Sequence, residues 1–165
     1  MEHGGAAAAG WALALQQSAL GAFVRDSLWI YPAANLVHLL GLTLLIGPII
    51  VLDLRLLGVG RGIVSAAAAS RLLTPFALAG IVLLLPSGVL LFAADAASLA
   101  SSPLFQIKLA LVGLALFNAL AFRRAWNGRL ADWDRDPPLA GRWQAGCSIG
   151  LWLAAGFCGR MIAYL

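Results

Sequence analysis

Long apolar segments alternate with short polar ones along most of the chain. Four segments, near residues 33–52, 72–94, 104–122 and 143–165, each approach the roughly 20 apolar residues that a helix needs to cross a bilayer. The connections between them leave no room for a separate soluble domain. The pattern predicts an all-α polytopic membrane protein in which residues 1–165 form one membrane domain, a bundle of four transmembrane helices.

Residues 5–24 follow a different pattern. This segment is uncharged but only moderately apolar, because it is rich in Ala and Gly and is interrupted by Gln16 and Gln17. We expect an N-terminal interfacial helix that lies on the membrane surface, with Trp11 and Phe23 among its anchors. A fifth span is the alternative.

Proline and glycine positions modify the predicted spans. Pro86 lies deep inside the second apolar segment, where its ring and its missing N–H predict a kink. Gly146 and Gly150 are four residues apart in the last segment, a spacing typical of close helix packing in membranes.

Composition agrees with a lipid environment. The chain is 62% hydrophobic and 11% charged, whereas soluble domains average about 25% charged residues. The net charge of +4 does not indicate a nucleic-acid partner, because the cations stand singly at the ends of apolar segments. We interpret them as topology signals and contacts to lipid headgroups, so that the bilayer is the expected partner.

The distribution of Lys and Arg predicts the orientation in the membrane. Eight of the 11 cations lie in the loops after the first and third spans, and the other three, Arg25, Lys108 and Arg160, lie on the opposite side. Because cytoplasmic loops carry the excess of positive charge, the eight-cation side is expected to be cytoplasmic, with both termini periplasmic. The eight are Arg55, Arg61, Arg71, Arg123, Arg124, Arg129, Arg135 and Arg142.

His38 is the first candidate for a functional residue, because an imidazole inside a membrane span is costly without a partner. Asn35 is three residues earlier on the same helix face, and Ala34 and Gly41 leave the surface around His38 shallow. This arrangement suits haem b or another tetrapyrrole whose metal takes His38 as an axial ligand. The alternative is a histidine that is hydrogen-bonded to another helix inside the bundle.

Lys108 and Arg160 belong to the same, outer half of the predicted bundle as His38. If they face inward, they form with His38 and Asn35 a cationic pocket suited to a haem propionate, a carboxylate or a quinone head. The alternative is that both side chains extend to the headgroup region.

Charged residues also mark the cytoplasmic ends of two spans. Asp53 and Arg55 end the first span, and Arg123 and Arg124 end the third, which predicts structural ion pairs between helix ends. A proton-accepting role for Asp53 is the alternative. The sequence contains no phosphate-binding glycine loop and no paired buried carboxylates, so hydrolytic or phosphoryl-transfer catalysis is not expected.

Several of these residues belong to motifs that resemble those of an uncharacterised family of small bacterial four-helix membrane proteins. The motifs are residues 29–32 with His38, Gly41 and Gly47, residues 53–58, residues 103–105 with Lys108 and Asn118, and Trp152 with residues 159–164. The family is distantly similar to copper-resistance D-type membrane proteins. The resemblance implies a four-helix bundle in which His38, Asp53, Arg55, Lys108 and Arg160 are characteristic positions, and it implies no established activity. We expect the protein in the inner membrane of a bacterium.

The family pattern differs from this chain at two places that matter for ligands. It commonly has a glutamate at the position of Asn35 and a histidine where this chain has Arg123 and Arg124. Both differences remove possible ligands. A site with two axial histidines or a copper site is therefore less expected in this chain.

Together the residues favour a non-enzymatic membrane subunit or binding protein. Its outer pocket would hold a tetrapyrrole or a quinone for electron transfer or for its assembly. One alternative is a small transporter or permeation subunit for copper or an organic anion. Another is a purely structural subunit that associates with other membrane subunits or with copies of itself.

Overall fold

The computed structural model describes the backbone of residues 3–164 and the side chains of residues 10–162 and 164. The helices are α1 (His3–Gln16), α2 (Ala19–Asp26), α3 (Ile30–Leu57), α4 (Ala66–Ala94), α5 (Ala96–Ser101), α6 (Pro103–Trp126) and α7 (Leu139–Met161). Short 3₁₀ turns follow α6 and α7 at Asn127–Arg129 and Ile162–Tyr164. The described residues contain no strand, and the all-α prediction is confirmed.

Three helices, α3, α4 and α6, are long and apolar enough to cross a membrane, whereas four were expected. The fourth expected span corresponds to α7, which has 23 residues. It is less apolar because glycines, Gln144, Ser148 and Arg160 interrupt its leucines and alanines. Leu165, the end of that expected span, lies outside the described residues.

The predicted interfacial segment forms two helices, because the chain turns at Gln17 and Ser18. Ser18 caps α2 by accepting a hydrogen bond from the Gly21 N–H at 3.3 Å. Helix α1 packs against α5, and α2 packs against α4. Trp11 stacks on Phe92 of α4 at 6.0 Å, and Phe92 stacks on Phe105 of α6 at 5.4 Å between ring centroids. The N-terminal helices therefore cover the end of the bundle where α4 ends and α6 begins.

The long helices pack in the order α4, α3, α7, α6. Closest approach occurs between α3 and α4, where a Cβ on Gly80 would stand 2.7 Å from the Gly41 carbonyl oxygen and 2.6 Å from the Leu45 nitrogen. The glycines expected to pack closely, Gly146 and Gly150, are exposed with nothing near their Cβ positions. Small residues thus allow two helix backbones to approach closely, as expected for a membrane protein. The helices concerned are α3 and α4, whereas the expectation was for α7.

Among the described residues, α4 and α6 do not pack against each other along their lengths. The row of four helices is therefore open between its first and last members. Leu36, Val82 and Phe117 are among the many large apolar side chains that the outward faces expose. Exposure on this scale is typical of helices whose outward faces lie in a membrane.

The loops after α3 and α6 meet at one end of the molecule, called here the arginine-rich end. Gly58 ends α3 in the left-handed conformation, at φ +113°. Trp133, from the loop after α6, is buried and donates a hydrogen bond from Nε1 to the Leu56 carbonyl at 3.0 Å. The two loops therefore lie on the same side of the bundle, as their shared positive charge predicted.

Candidate functional site

His38 lies at the contact between α3 and α4, half-buried, with Nδ1 3.1 Å from the Ser87 hydroxyl oxygen. The Ser87 hydroxyl donates its only proton to the Leu83 carbonyl at 2.6 Å. With that proton engaged, Ser87 accepts a hydrogen bond from the Nδ1–H of His38. His38 is therefore hydrogen-bonded to another helix, which is the arrangement that the sequence offered as the alternative to a metal ligand.

The shallow surface expected beside His38 is covered by α4. Ala34 is buried, and a Cβ on Gly41 would stand 2.9 Å from the Leu84 side chain. An apolar groove of about 270 Å³ lies one turn away and includes Ala34, but His38 does not line it. The structure therefore does not leave Ala34, His38 and Gly41 open together as a site for a macrocycle.

The other residues of the expected outer pocket are only partly brought together. Lys108 is half-buried along Gly159 of α7 and lies near enough to His38 to interact with it electrostatically. Asn35 is exposed. Arg160 is exposed as well, hydrogen-bonded to the Tyr164 hydroxyl and stacked on its ring at 4.8 Å. In the part of the chain that the structure describes, no three His, Cys, Asp or Glu side chains converge on a position for a metal ion.

The ion pair at the arginine-rich end differs from the one expected. Arg55 pairs with Asp134, 79 residues later, and not with Asp53. The Asp134 carboxylate also accepts from the Ala66 N–H, the first residue of α4, at 3.2 Å. Arg123 and Arg124 are exposed, and neither forms an ion pair with a described residue. Asp53 and Arg55 are two positions apart in one helix, so their side chains point to different faces.

Arg55 and Asp134 depend on each other electrostatically. The Arg55 side chain is 3% exposed and that of Asp134 is 31% exposed. Burial alone raises the pKa of the Asp134 carboxyl, but hydrogen bonds from Arg55 and the Ala66 N–H, with the charges of Arg55 and Arg61, lower it below its ordinary value. Asp134 is therefore held as a carboxylate that fastens the second loop to the start of α4.

Asp53 faces a cavity of about 180 Å³ in the half of the bundle nearest the arginine-rich end. All four long helices line the cavity, which lies where α4 and α6 fail to meet. Its walls are mostly leucine, isoleucine and alanine side chains. Arg123 and Asn127 stand at the edge nearest the loops.

Two buried polar atoms in the cavity wall have no hydrogen-bond partner among the described residues. They are Oδ2 of Asp53, which is 7% exposed, and Nε1 of Trp152, which is 2% exposed. Ser148 lies beside the Asp53 carboxyl and is one helical turn from Trp152 on the same face of α7. Asp53, Ser148 and Trp152 all line the cavity.

Asn118 and Gln144 add a second polar position to the cavity wall. Asn118 donates to the Gln144 main-chain carbonyl at 3.0 Å, and the Gln144 side-chain oxygen accepts from Trp126 at 2.5 Å. The Asn118 oxygen and the Gln144 amide nitrogen remain for other partners. An acceptor and a donor thus flank a largely apolar space.

Sequence reasoning found Asp53 but missed the cavity around it. Ser148 and Gln144 were not singled out, and Asn118 and Trp152 entered only through the resemblance. A detectable signal was present, since Asn118 and Ser148 are polar residues inside apolar segments. Their convergence on Asp53 requires knowledge of how α6 and α7 are rotated about their axes.

Comparison with known proteins gives one match. A family model described as "Family of unknown function (DUF6644)" matches residues 14–165. No curated protein and no solved structure matches the chain significantly. The distant similarity to copper-resistance D-type membrane proteins stays a prediction. The chain belongs to the family of unknown function DUF6644.

Proposed function

We propose that this protein is an integral membrane binding protein whose cavity between α4 and α6 takes up a small, mostly apolar molecule from the lipid. One observation carries the proposal. Asp53 and Trp152 line the same largely apolar cavity, and each carries a buried polar atom, Oδ2 and Nε1, that has no hydrogen-bond partner among the described residues.

The energetics favour occupation by a ligand with a polar group. A buried donor or acceptor without a partner costs about 1–3 kcal/mol, and a ligand that supplies the missing hydrogen bond recovers this energy. Burial of the rest of the ligand against the apolar walls also contributes favourable free energy. For scale, a cavity of about 150 Å³ lined by apolar side chains binds benzene. The cavity of about 180 Å³ suits a ring with a short substituent.

In this proposal α7 crosses the membrane with α3, α4 and α6, completing a four-helix bundle. Its 23 residues extend about 34 Å at the helical rise of 1.5 Å, enough for a hydrocarbon layer of about 30 Å. Packing against both α3 and α6 shields Gln144 and Ser148 from lipid. The low hydropathy of α7 then reflects its position between other helices.

The arginine-rich end is cytoplasmic in this proposal, in the inner membrane of a bacterium. Eight of 11 cations support this orientation. Both termini then lie on the periplasmic side. The cavity opens toward the cytoplasmic leaflet, in the half opposite the outer pocket that the sequence suggested.

A quinone remains within the proposed ligand class, now in the cavity beside Asp53. A tetrapyrrole at His38 has less support, because α4 covers the surface that a macrocycle would need. An absorption spectrum of purified protein, expressed with ample haem precursor, tests it directly. A Soret band that disappears in His38→Ala would favour the tetrapyrrole over the present proposal.

The test of ligand uptake uses the indole signals of the protein. The chain has six tryptophans, and Trp152→Phe identifies the signal of Trp152 in a ¹H–¹⁵N spectrum of the detergent-solubilised protein. Titration with 4-butylphenol is expected to shift that signal saturably. Ala77→Phe places a ring in the cavity wall and should abolish the response.

Ala79→Phe is the matched control, because it makes the same change on the exposed face of the same helix. It should leave the response intact. An unresponsive wild-type Trp152 signal, or equal responses in Ala77→Phe and wild type, would reject the proposed function.

A further inference from the structure

We infer that the cavity holds one acyl chain of an anionic phospholipid whose phosphate lies between Arg71 and Arg123 at the arginine-rich end. This inference rests on the proposed function and names the chemical class of its ligand. Three observations carry it: the length of the cavity, the change in polarity along its walls, and the positions of two arginines at its opening.

The cavity is long and narrow. Its lining runs from Ser70 to Ile81 on α4 and from Leu45 to Leu56 on α3, which is about 16 Å along either helix at the rise of about 1.5 Å per residue. A volume of about 180 Å³ spread over this length describes a slot and not a round chamber. An extended hydrocarbon chain has this shape.

The walls of the slot change from polar to apolar along its length. At the arginine-rich end they include Ser70, Thr74 and Asn127, whereas Leu45 and Leu116 line the deep end, near the middle of the bundle. Burial of methylene groups among apolar side chains is favourable, and the polar end offers hydrogen bonds to a head group. The slot therefore matches an amphiphile whose head stays at the arginine-rich end.

An arginine stands on each side of the gap between α4 and α6. Leu78 of α4 and Leu120 of α6 line the cavity and are 51% and 64% exposed, so they form the two lips of the gap. Arg71 precedes Leu78 by seven residues, and this spacing of two turns keeps both on one helix face. Arg123 follows Leu120 by three residues and itself lines the cavity. Both lips therefore end in a cation.

The charge at this opening is not neutralised within the described part of the chain. Arg71 and Arg123 are exposed, and neither forms an ion pair there. Asp53, the one acid that lines the cavity, belongs to α3, which does not border the gap. It is 7% exposed and its carboxyl is hydrogen-bonded to Ser148. The opening thus complements a negatively charged head.

A phosphate suits this opening better than a carboxylate does. Guanidinium groups bind both anions through paired hydrogen bonds, but here the donors approach from two separate helices, and the third or fourth oxygen of a phosphate can receive the second set. Lipid phosphates also lie at the depth where membrane helices end.

The experiment compares probes that share a dodecyl chain and differ at the head: dodecyl phosphate, neutral 1-dodecanol and cationic dodecyltrimethylammonium. The full-length protein is titrated in an uncharged detergent, with free probe concentrations measured. The Trp152 indole signal is followed, because Trp152 lines the deep end and reports the chain. Dodecyl phosphate is expected to bind at least about tenfold more tightly than dodecanol, because hydrogen bonds to charged groups are the stronger ones. The ammonium should bind more weakly than dodecanol. Inorganic phosphate alone should leave the signal unchanged, which separates a lipid anion from free phosphate.

Arg71→Gln and Arg123→Gln test the position of the head. Each should weaken binding of dodecyl phosphate by about tenfold and leave binding of dodecanol unchanged. Arg124→Gln is the matched control, because it removes the same charge from the neighbouring exposed arginine, which does not line the cavity. Its effect should stay below about threefold.

Two results would overturn the lipid-anion assignment and leave the proposed function standing. One is equal binding of dodecyl phosphate and dodecanol to wild type, and the other is an equal loss in Arg123→Gln and Arg124→Gln. Absence of saturable binding for every probe, including 4-butylphenol, would overturn the proposed function itself.

Discussion

Asp134→Asn is expected to destabilise the protein through the buried guanidinium of Arg55. The change removes the negative charge opposite a side chain that is 3% exposed. It also replaces the carboxylate that accepts a hydrogen bond from the Ala66 N–H by an amide, which can present its own N–H to Ala66. The Arg55 Nε bond to the Val64 carbonyl, at 2.6 Å, remains.

The magnitude lies between two reference cases. Removing one partner of a fully buried pair costs about 3–5 kcal/mol, and exposed pairs contribute about 0–1 kcal/mol. Because Asp134 is 31% exposed, we expect about 2–4 kcal/mol. For a chain of this size that corresponds to a fall in melting temperature of about 4–16 °C.

Cys158 provides the assay. It is buried in α7, whereas Cys147 is exposed. In a Cys147→Ser background, a thiol-reactive dye that fluoresces on coupling reports unfolding as Cys158 becomes accessible during a temperature ramp. Melting temperatures of the variants then give the order of their stabilities.

The matched control is Asp132→Asn in the same loop. Asp132 pairs with Arg135 at 3.8 Å, but both side chains are largely exposed, so little change is expected. Adding Arg55→Met to Asp134→Asn should restore much of the loss, because no buried charge is then left unpaired. Equal melting temperatures for Asp132→Asn and Asp134→Asn would refute the reasoning.

Gly80→Ala should lower the melting temperature by several degrees more than Gly113→Ala. A Cβ at position 80 would stand 2.6 Å from the α3 backbone, whereas a Cβ at position 113 would meet nothing within 4 Å. Similar melting temperatures for the two variants would contradict the close packing of α3 and α4. In a cysteine-free background, Gly128→Cys should react with a membrane-impermeant thiol reagent only from the cytoplasmic face and Gly10→Cys only from the periplasmic face, and the reverse pattern would overturn the topology. Since the folded-state pKa of Asp134 is lowered, its contribution to stability is present above the unfolded-state pKa of about 3.9 and is lost as pH falls through the lower folded-state value. Acidification from about pH 5 to pH 2 should therefore narrow the difference in melting temperature between wild type and Asp134→Asn, and a difference that stayed constant would argue against the pair.

Much of the helical layout could be predicted from the sequence, because apolar length is a local property. The predicted helix bounds were less accurate where a helix extends beyond its most apolar residues. Helix α4 begins at Ala66, capped by Ser65, and not near residue 72. Helix α7 was grouped with the spans, although its interruptions make it less apolar than the other three.

The pairing of residues could not be predicted from the sequence. Gly146 and Gly150 have the same local spacing signal as a packed pair, yet Gly41 and Gly80 make the close approach from different helices. Likewise Arg55 forms its ion pair with Asp134 in a distant loop and not with Asp53, two residues away in the same helix. Such choices depend on the rotation of each helix about its axis, which is set by packing with all its neighbours at once.

The aromatic stack of Trp11, Phe92 and Phe105 makes the two ends of the gap mechanically unequal. At the stacked end, the ring contact of 5.4 Å between Phe92 and Phe105 and the short helix α5 tie α4 to α6, and Trp11 of α1 stacks on Phe92 at 6.0 Å. Toward the arginine-rich end no comparable stack links the described parts of these two helices. We therefore expect thermal motion to change the angle between α4 and α6, with the pivot at the aromatic stack. The distance between the two helices should then vary most beside the cavity.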